Sequence, residues 1–101
     1  MRTRTLKTRT LKTPATVRSL IRNMHPQLKR KMRAALTDIL DNPDCGKPLK
    51  GELKGLWSLR VGRHRVIYRP DDAGAEVMAI GPRATIYQET DRHILRDRAA
   101  R

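Results

Sequence analysis

Residues 56–69 read LWSLRVGRHRVIYR, and this stretch decides the fold. Two runs rich in Val, Ile, Trp and Tyr flank Gly62 and Arg63, a pattern that predicts a β-hairpin with a two-residue turn. A turn of that length sets the register of the two strands. It pairs Val61 with His64, Arg60 with Arg65, Leu59 with Val66, Ser58 with Ile67 and Trp57 with Tyr68.

This register gives the hairpin two unlike faces, because cross-strand partners project to the same side of a sheet. The predicted core face carries Trp57, Leu59, Val61, Val66 and Tyr68. The predicted cationic face carries Ser58, Arg60, Arg65 and Arg69. We expect the first face to pack against other elements and the second to stay open to solvent or to a phosphate-bearing partner.

A short strand and an amphipathic helix are predicted at the start of the chain. The strand spans roughly residues 8–12, and the helix follows with Thr13 as its N-cap and Pro14 as its first residue. Apolar residues at helical spacing predict one buried face, made of Val17, Leu20, Ile21 and Met24.

A second helix is predicted from Pro26, because the residue before a proline is pushed out of the helical region. It ends at Asn42-Pro43. Its apolar stripe is formed by Leu28, Met32, Ala35, Leu36, Ile39 and Leu40. Residues 43–55 are rich in Pro, Gly and Lys and are expected to form a loop.

Beyond the hairpin, a turn at residues 70–74 leads to a third strand from Glu76 to Ile80. Residues 85–98 carry a weak pattern for a terminal helix, with Ile86, Ile94 and Leu95 as its apolar contacts. The expected fold class is therefore α+β. It has an N-terminal strand, a helical hairpin and a three-stranded antiparallel meander with a short tail or helix, and the helices cover one face of the sheet.

Length and charge limit the kinds of partner. The 101 residues suit one domain, which we place at residues 8–101 after a flexible basic arm at residues 1–7. The net charge is +13, and residues 1–33 hold eleven basic residues and no acidic one. This balance predicts attraction to a polyanion. The single cysteine, Cys45, excludes an intrachain disulfide, no Cys/His set has zinc spacing, and no apolar run is long enough to span a membrane.

Arginines and a tyrosine near the hairpin suit RNA cleavage. Arg65 lies opposite Arg60, and like charges held face to face are unfavourable without an anion. Arg83 follows the third strand, and Tyr87 comes four residues later. Guanidinium groups bind phosphate oxygens and stabilise the charge of a phosphorane, while a phenolate favoured by nearby arginines can deprotonate a ribose 2′-hydroxyl.

Each of these residues also has a plainer interpretation. A single arginine on a sheet face is most often a solvated charge, and a single tyrosine is often a packing residue. Further phosphate contacts are expected from basic residues of the turn, the strand before it and the preceding loop: Arg60, Arg63, Lys50 and Lys54.

The run LKGELKGLWSLRVGRHRVIYR at residues 49–69, the later GPRATIY at 81–87 and the DNP at 41–43 resemble the RelE/ParE superfamily of toxin–antitoxin toxins. The resemblance covers about residues 8–88. Its RelE-like branch consists of mRNA endonucleases that usually act on the ribosome, whereas its ParE-like branch poisons DNA gyrase and cleaves no RNA.

The resemblance favours the RelE-like branch and implies that Arg65, Arg83 and Tyr87 are catalytic, with no metal and no cofactor. It also implies a cytoplasmic protein with three partners: a cognate antitoxin, the ribosome and mRNA. The chain departs from the pattern at Leu56 and Ser58, where some RelE-like toxins carry lysines. A ParE-like gyrase inhibitor and an inactive basic nucleic-acid-binding member of the family stay open as alternatives.

Overall fold

The computed structural model describes residues 9–82 and residue 86. The elements in chain order are β1 (Thr10–Lys12), α1 (Ala15–Arg22), α2 (Pro26–Asp41), β2 (Lys47–Pro48), β3 (Trp57–Val61), β4 (His64–Asp71) and β5 (Gly74–Pro82). Single 3-10 turns at Pro43–Cys45 and Gly51–Leu53 flank β2. The predicted arm at residues 1–7 and the predicted terminal helix at 85–98, apart from Ile86, lie outside the described residues.

The strands form one five-stranded sheet in the order β1-β5-β4-β3-β2. β1 runs parallel to β5, and the other neighbours are antiparallel. The α+β class, the N-terminal strand, the helical hairpin and the meander are confirmed. Two details differ from the prediction: β2 adds an edge strand, and β5 extends two residues further at each end than residues 76–80.

The predicted register of the β3–β4 hairpin is confirmed at all five pairs, from Val61 opposite His64 to Trp57 opposite Tyr68. Gly62 begins the turn with φ +62°, a left-handed conformation that glycine adopts at no steric cost. The side chains that share a face are therefore those that the two-residue turn predicts.

The first helix begins one residue later than predicted. Pro14 is its N-cap, in an extended conformation and without a side-chain capping bond, so the assignment of Thr13 as the cap is wrong. Val17 and Ile21 are buried, whereas Leu20 is 51% exposed. The prediction that Leu20 belongs to the buried face is also wrong, because this eight-residue helix lays only a narrow stripe on the sheet.

The second helix has the predicted bounds. His25 caps its N-terminus, where Nδ1 accepts a hydrogen bond from the Gln27 amide at 3.3 Å. Asn42 ends it in an extended conformation. Its buried face is formed by Met32, Ala35 and Ile39. Together with α1, this face packs against sheet residues that include Val66, Tyr68 and Val77.

The opposite face of the sheet is not open, and the prediction that it is left to solvent is wrong. Ile67 lies at its centre and is fully buried with Leu56 and Ile86 in a second apolar cluster. The loop that precedes β3 folds over this face through Leu49 and Leu53. Burial of apolar surface drives this closure, and it confines the polar part of the face to the flanks of the cluster.

Candidate nucleic-acid interface

Arg65 lies on β4 at one flank of the second cluster. Its register partners are Arg60 on β3 and Gly81 on β5. Its side chain is half-buried, and Nη1 donates a hydrogen bond to the Ser58 hydroxyl at 3.1 Å. The guanidinium is therefore held against the sheet rather than extended freely into solvent.

Arg60 and Arg63 form the exposed part of this cationic site. Arg60 Nε donates to the carbonyl of Gly62 at 3.3 Å, which folds the side chain toward the turn. Neither Arg60 nor Arg63 is in an ion pair with a residue in the part of the chain that the structure describes. Two exposed guanidinium groups and one restrained one thus occupy the turn end of the hairpin, where an anion lowers their mutual repulsion.

Arg69 lies on the predicted face but differs from Arg65 in its partner. Its Nη2 is 2.6 Å from Oε1 of Glu76, the residue opposite it on β5. The carboxylate offsets the charge of Arg69. The cationic character of this face is therefore concentrated near the turn.

Lys50 and Lys54 are exposed on the loop before β3, one on each side of the turn at Gly51–Leu53. Leu53 of that turn packs against the second cluster, and the Leu49 amide bonds to the Leu56 carbonyl at 2.8 Å. The loop that carries both lysines is thus anchored to the sheet face on which Arg65 lies.

Arg83 and Tyr87 lie outside the described residues, so their catalytic assignment stays a prediction. Each directly follows a residue that the structure describes. Arg83 follows Pro82, the last residue of β5, and Tyr87 follows Ile86, whose side chain is fully buried in the second cluster. Gly81 lies directly under Ile86, since a Cβ at Gly81 would be 3.0 Å from its Cδ1.

Ser58 and Tyr68 lie on the predicted faces of the hairpin, but the sequence pattern did not predict the hydrogen bonds that they form. Ser58 is only 2% exposed and bonds to Arg65. Tyr68 is fully buried; its hydroxyl donates to the Pro43 carbonyl at 2.6 Å and accepts from the Gly46 amide at 3.0 Å. Burial raises the pKa of Tyr68 to about 12, so this phenol stays protonated. It ties the backbone after α2 to the sheet and does not act as a base.

No group of three or more His, Cys, Asp or Glu side chains suited to a metal ion occurs among residues 9–82 and 86. In the same part of the chain, no helix is long and apolar enough to cross a membrane.

Comparison with known sequences finds a match over residues 15–87 to the family model for the ParE toxin of type II toxin–antitoxin systems. The chain is 37% identical over 70 residues to Toxin RelE of Mycobacterium tuberculosis, covering 61% of this chain and 72% of that protein. It is 35% identical over 51 residues to Toxin YoeB of Streptomyces coelicolor, covering 46% and 61%.

Solved structures show the same fold. The toxin–antitoxin complex RelBE2 from M. tuberculosis matches with a TM-score of 0.65 at 28% identity, over 75% of this chain and 99% of that one. A free Escherichia coli toxin RelE with two arginine-to-alanine substitutions matches with a TM-score of 0.66 at 20% identity, over 86% and 98%. At that identity the second likeness concerns the fold alone.

Proposed function

This chain belongs to the ParE toxin family of type II toxin–antitoxin systems, and we propose that, as such a toxin, it halts translation by cleaving mRNA on the ribosome. The observation that carries the proposal is the restrained guanidinium of Arg65 beside the exposed Arg60 and Arg63. The identity to the toxins RelE and YoeB supports the nuclease branch of the superfamily.

Arg65 is suited to bind the scissile phosphate. A guanidinium presents several donors in a fixed plane and remains charged at every working pH. The Ser58 hydroxyl that accepts from Nη1 is neutral, so this bond does not offset the positive charge of Arg65. Stabilising the charge that develops on the phosphate oxygens in the transition state is usually the largest single contribution to catalysis of this kind.

The reaction proposed is an attack by a ribose 2′-hydroxyl on the adjacent phosphate. The 2′ oxygen bonds to phosphorus and the bond from phosphorus to the 5′ oxygen breaks, which leaves a 2′,3′-cyclic phosphate and a 5′-hydroxyl. Tyr87, in its phenolate form, takes the proton from the 2′-hydroxyl, and Arg83 stabilises the leaving 5′ oxygen until water supplies the proton of the new 5′-hydroxyl. Guanidinium groups supply the positive charge, so the proposed step uses no metal and no cofactor.

A cognate antitoxin is the proposed protein partner. The similar structures include complexes of toxin with antitoxin, RelBE2 and a YoeB–YefM complex from Staphylococcus aureus. A net charge of +13 favours a partner that brings an acidic segment to the basic surface. The ribosome and mRNA are the other proposed partners, and for that reason we also propose a cytoplasmic location.

The test compares Arg65→Gln with Arg69→Gln. Both arginines lie on the same face of β4, where Arg69 is paired with the carboxylate of Glu76 and Arg65 bonds to the Ser58 hydroxyl. Purified protein is incubated with ribosomes programmed with a defined mRNA, and the cuts are mapped by primer extension. We expect cuts in register with codons from wild type and from Arg69→Gln, and a loss of roughly a hundredfold or more with Arg65→Gln. Absence of cuts from the wild-type protein would contradict the proposal.

A gyrase-directed toxin without nuclease activity is the second candidate. Some RelE-like toxins carry lysines where this chain has Leu56 and Ser58. These two residues are only 4% and 2% exposed and offer no additional cation, which favours the second candidate. In that case the purified chain inhibits supercoiling by DNA gyrase and leaves programmed mRNA intact. Running both assays on the same preparation separates the two candidates.

A further inference from the structure

The geometry points to Ser58 as the positioning residue of Arg65: its buried hydroxyl holds the guanidinium in the orientation that phosphate binding requires. This inference rests on the proposed nuclease function. Ser58 itself is too buried to touch RNA, so it acts only through Arg65.

The two side chains meet because of the hairpin register. Ser58 on β3 faces Ile67, and Arg65 on β4 faces Arg60, so Ser58 and Arg65 are diagonal neighbours on the same face of the sheet. Diagonal neighbours are within reach of a long side chain. The bond from Arg65 Nη1 to Ser58 Oγ, at 3.1 Å, has the length of an ordinary hydrogen bond.

Ser58 is a rigid support for such a bond. Its backbone pairs with Ile67 on one side and with Lys47 of β2 on the other. Its carbonyl also lies so close to Gly46 that a Cβ there would approach it to 2.6 Å. Because the strand is held on both sides, the serine oxygen has a fixed place relative to β4.

Arg65 and Arg69 differ in the kind of side chain to which each is bound. Arg69 is bound by the carboxylate of Glu76, which both orients it and offsets its charge. Ser58 offers a neutral oxygen, so its bond orients Arg65 without itself offsetting the charge. A residue that orients a guanidinium without neutralising it is what a transition-state phosphate site needs.

The test measures single-turnover cleavage of ribosome-bound mRNA by Ser58→Ala, Ser58→Thr and Ser19→Ala. Ser19 is an exposed serine on α1 and provides the matched control. We expect Ser58→Ala to lower the cleavage rate roughly 10-fold at saturating toxin while the half-saturating ribosome concentration stays close to that of wild type. Ser58→Thr, which keeps the hydroxyl, restores most of the rate, and Ser19→Ala does not change it.

A double variant separates positioning from a general structural effect. In an Arg65→Gln background, Ser58→Ala should cause no further loss, because the residue it positions is gone. The inference is overturned if Ser58→Ala cleaves at the wild-type rate. It is also overturned if Ser58→Ala lowers the cleavage rate as much in the Arg65→Gln background as it does alone. Circular dichroism of each variant checks that the fold is retained.

The mobility of the Arg65 side chain provides a readout that does not depend on activity. In ¹⁵N-labelled protein, the Arg65 Nε–Hε signal should show a lower heteronuclear NOE in Ser58→Ala than in wild type or Ser19→Ala. An unchanged value contradicts the inference even if cleavage falls. If wild type cuts no RNA, the proposed function fails, and this measurement alone decides whether Ser58 restrains Arg65.

Discussion

Tyr68 shows how much one side chain can organise. Its ring is fully buried among the core residues under the helices, while its hydroxyl reaches the backbone after α2 and bonds to Pro43 and Gly46. A Cβ at Gly46 would lie 2.7 Å from this hydroxyl, so glycine is needed for the loop to approach. The end of α2 is thereby tied to the middle of the sheet.

Substituting Tyr68→Phe should destabilise the protein by about 1–3 kcal/mol, because two backbone groups lose their partner in a partly buried site. Urea unfolding followed by circular dichroism measures the change. Thr37→Ala is the control, since its hydroxyl also bonds to a backbone carbonyl but is exposed on α2; it should change the free energy of unfolding by less than about 0.5 kcal/mol. Equal effects from the two variants would contradict the assignment.

The same residue predicts sensitivity to alkali. The pKa of Tyr68 is raised by burial from 10.0 to about 12, so the unfolded chain loses this proton first. Its contribution to stability is complete below the unfolded pKa and is lost as pH rises toward the folded value. Between these two values wild type should lose about 1.4 kcal/mol per pH unit more than Tyr68→Phe. Parallel pH profiles for the two proteins would refute the prediction.

At the scale of elements, α1 packs on the sheet through a narrow apolar stripe made of Val17 and Ile21. Ile21 is 7% exposed and its neighbour Leu20 is 51% exposed, although both fit the same apolar pattern. Ile21→Ala should therefore cost about 2–4 kcal/mol, and Leu20→Ala less than about 0.5 kcal/mol. Thermal unfolding of this matched pair measures the difference. A larger loss of stability for Leu20→Ala than for Ile21→Ala would show that the buried stripe of α1 has been assigned to the wrong side.

The strand β1 depends on a close approach at Gly74, the first residue of β5. Gly74 has φ +151°, and a Cβ on it would clash with the backbone carbonyl of Thr10. Gly74→Ala should break the parallel pairing of β1 with β5. We expect faster hydrogen exchange at the Thr10 amide, which bonds to the Ala73 carbonyl at 2.7 Å, and unchanged exchange in the β3–β4 hairpin. Uniformly faster exchange would instead indicate global unfolding.

At the scale of the whole molecule, charge governs association with RNA. Neutralising phosphates releases counterions, so affinity falls as salt increases. With a net charge of +13, binding to ribosomes should weaken steeply with KCl at fixed magnesium. Arg60→Ala should reduce the slope of log affinity against log salt by about one unit, and Arg30→Ala, exposed on α2, should leave it unchanged. Equal slopes for wild type and Arg60→Ala would remove Arg60 from the interface.

The hairpin and its site differ in how far they could be predicted. The pairing of Arg60 with Arg65 followed from the turn at Gly62, because a two-residue turn sets the register without help from distant residues. The cover over the second sheet face could not be predicted in this way. It joins Leu56, Ile67 and Ile86, which are apolar residues from a loop, a strand and the chain beyond the sheet.

The sequence by itself determined the order of the elements other than β2, the hairpin register and the concentration of positive charge, because these depend on neighbouring residues and on composition. Only the tertiary structure decided that Leu20 is exposed, that Arg69 is neutralised by Glu76 and that Arg65 rests on Ser58. Each of these outcomes depends on which surfaces pack together. Packing brings distant residues into contact, and those contacts place a carboxylate beside one arginine on β4 and a serine hydroxyl beside the other.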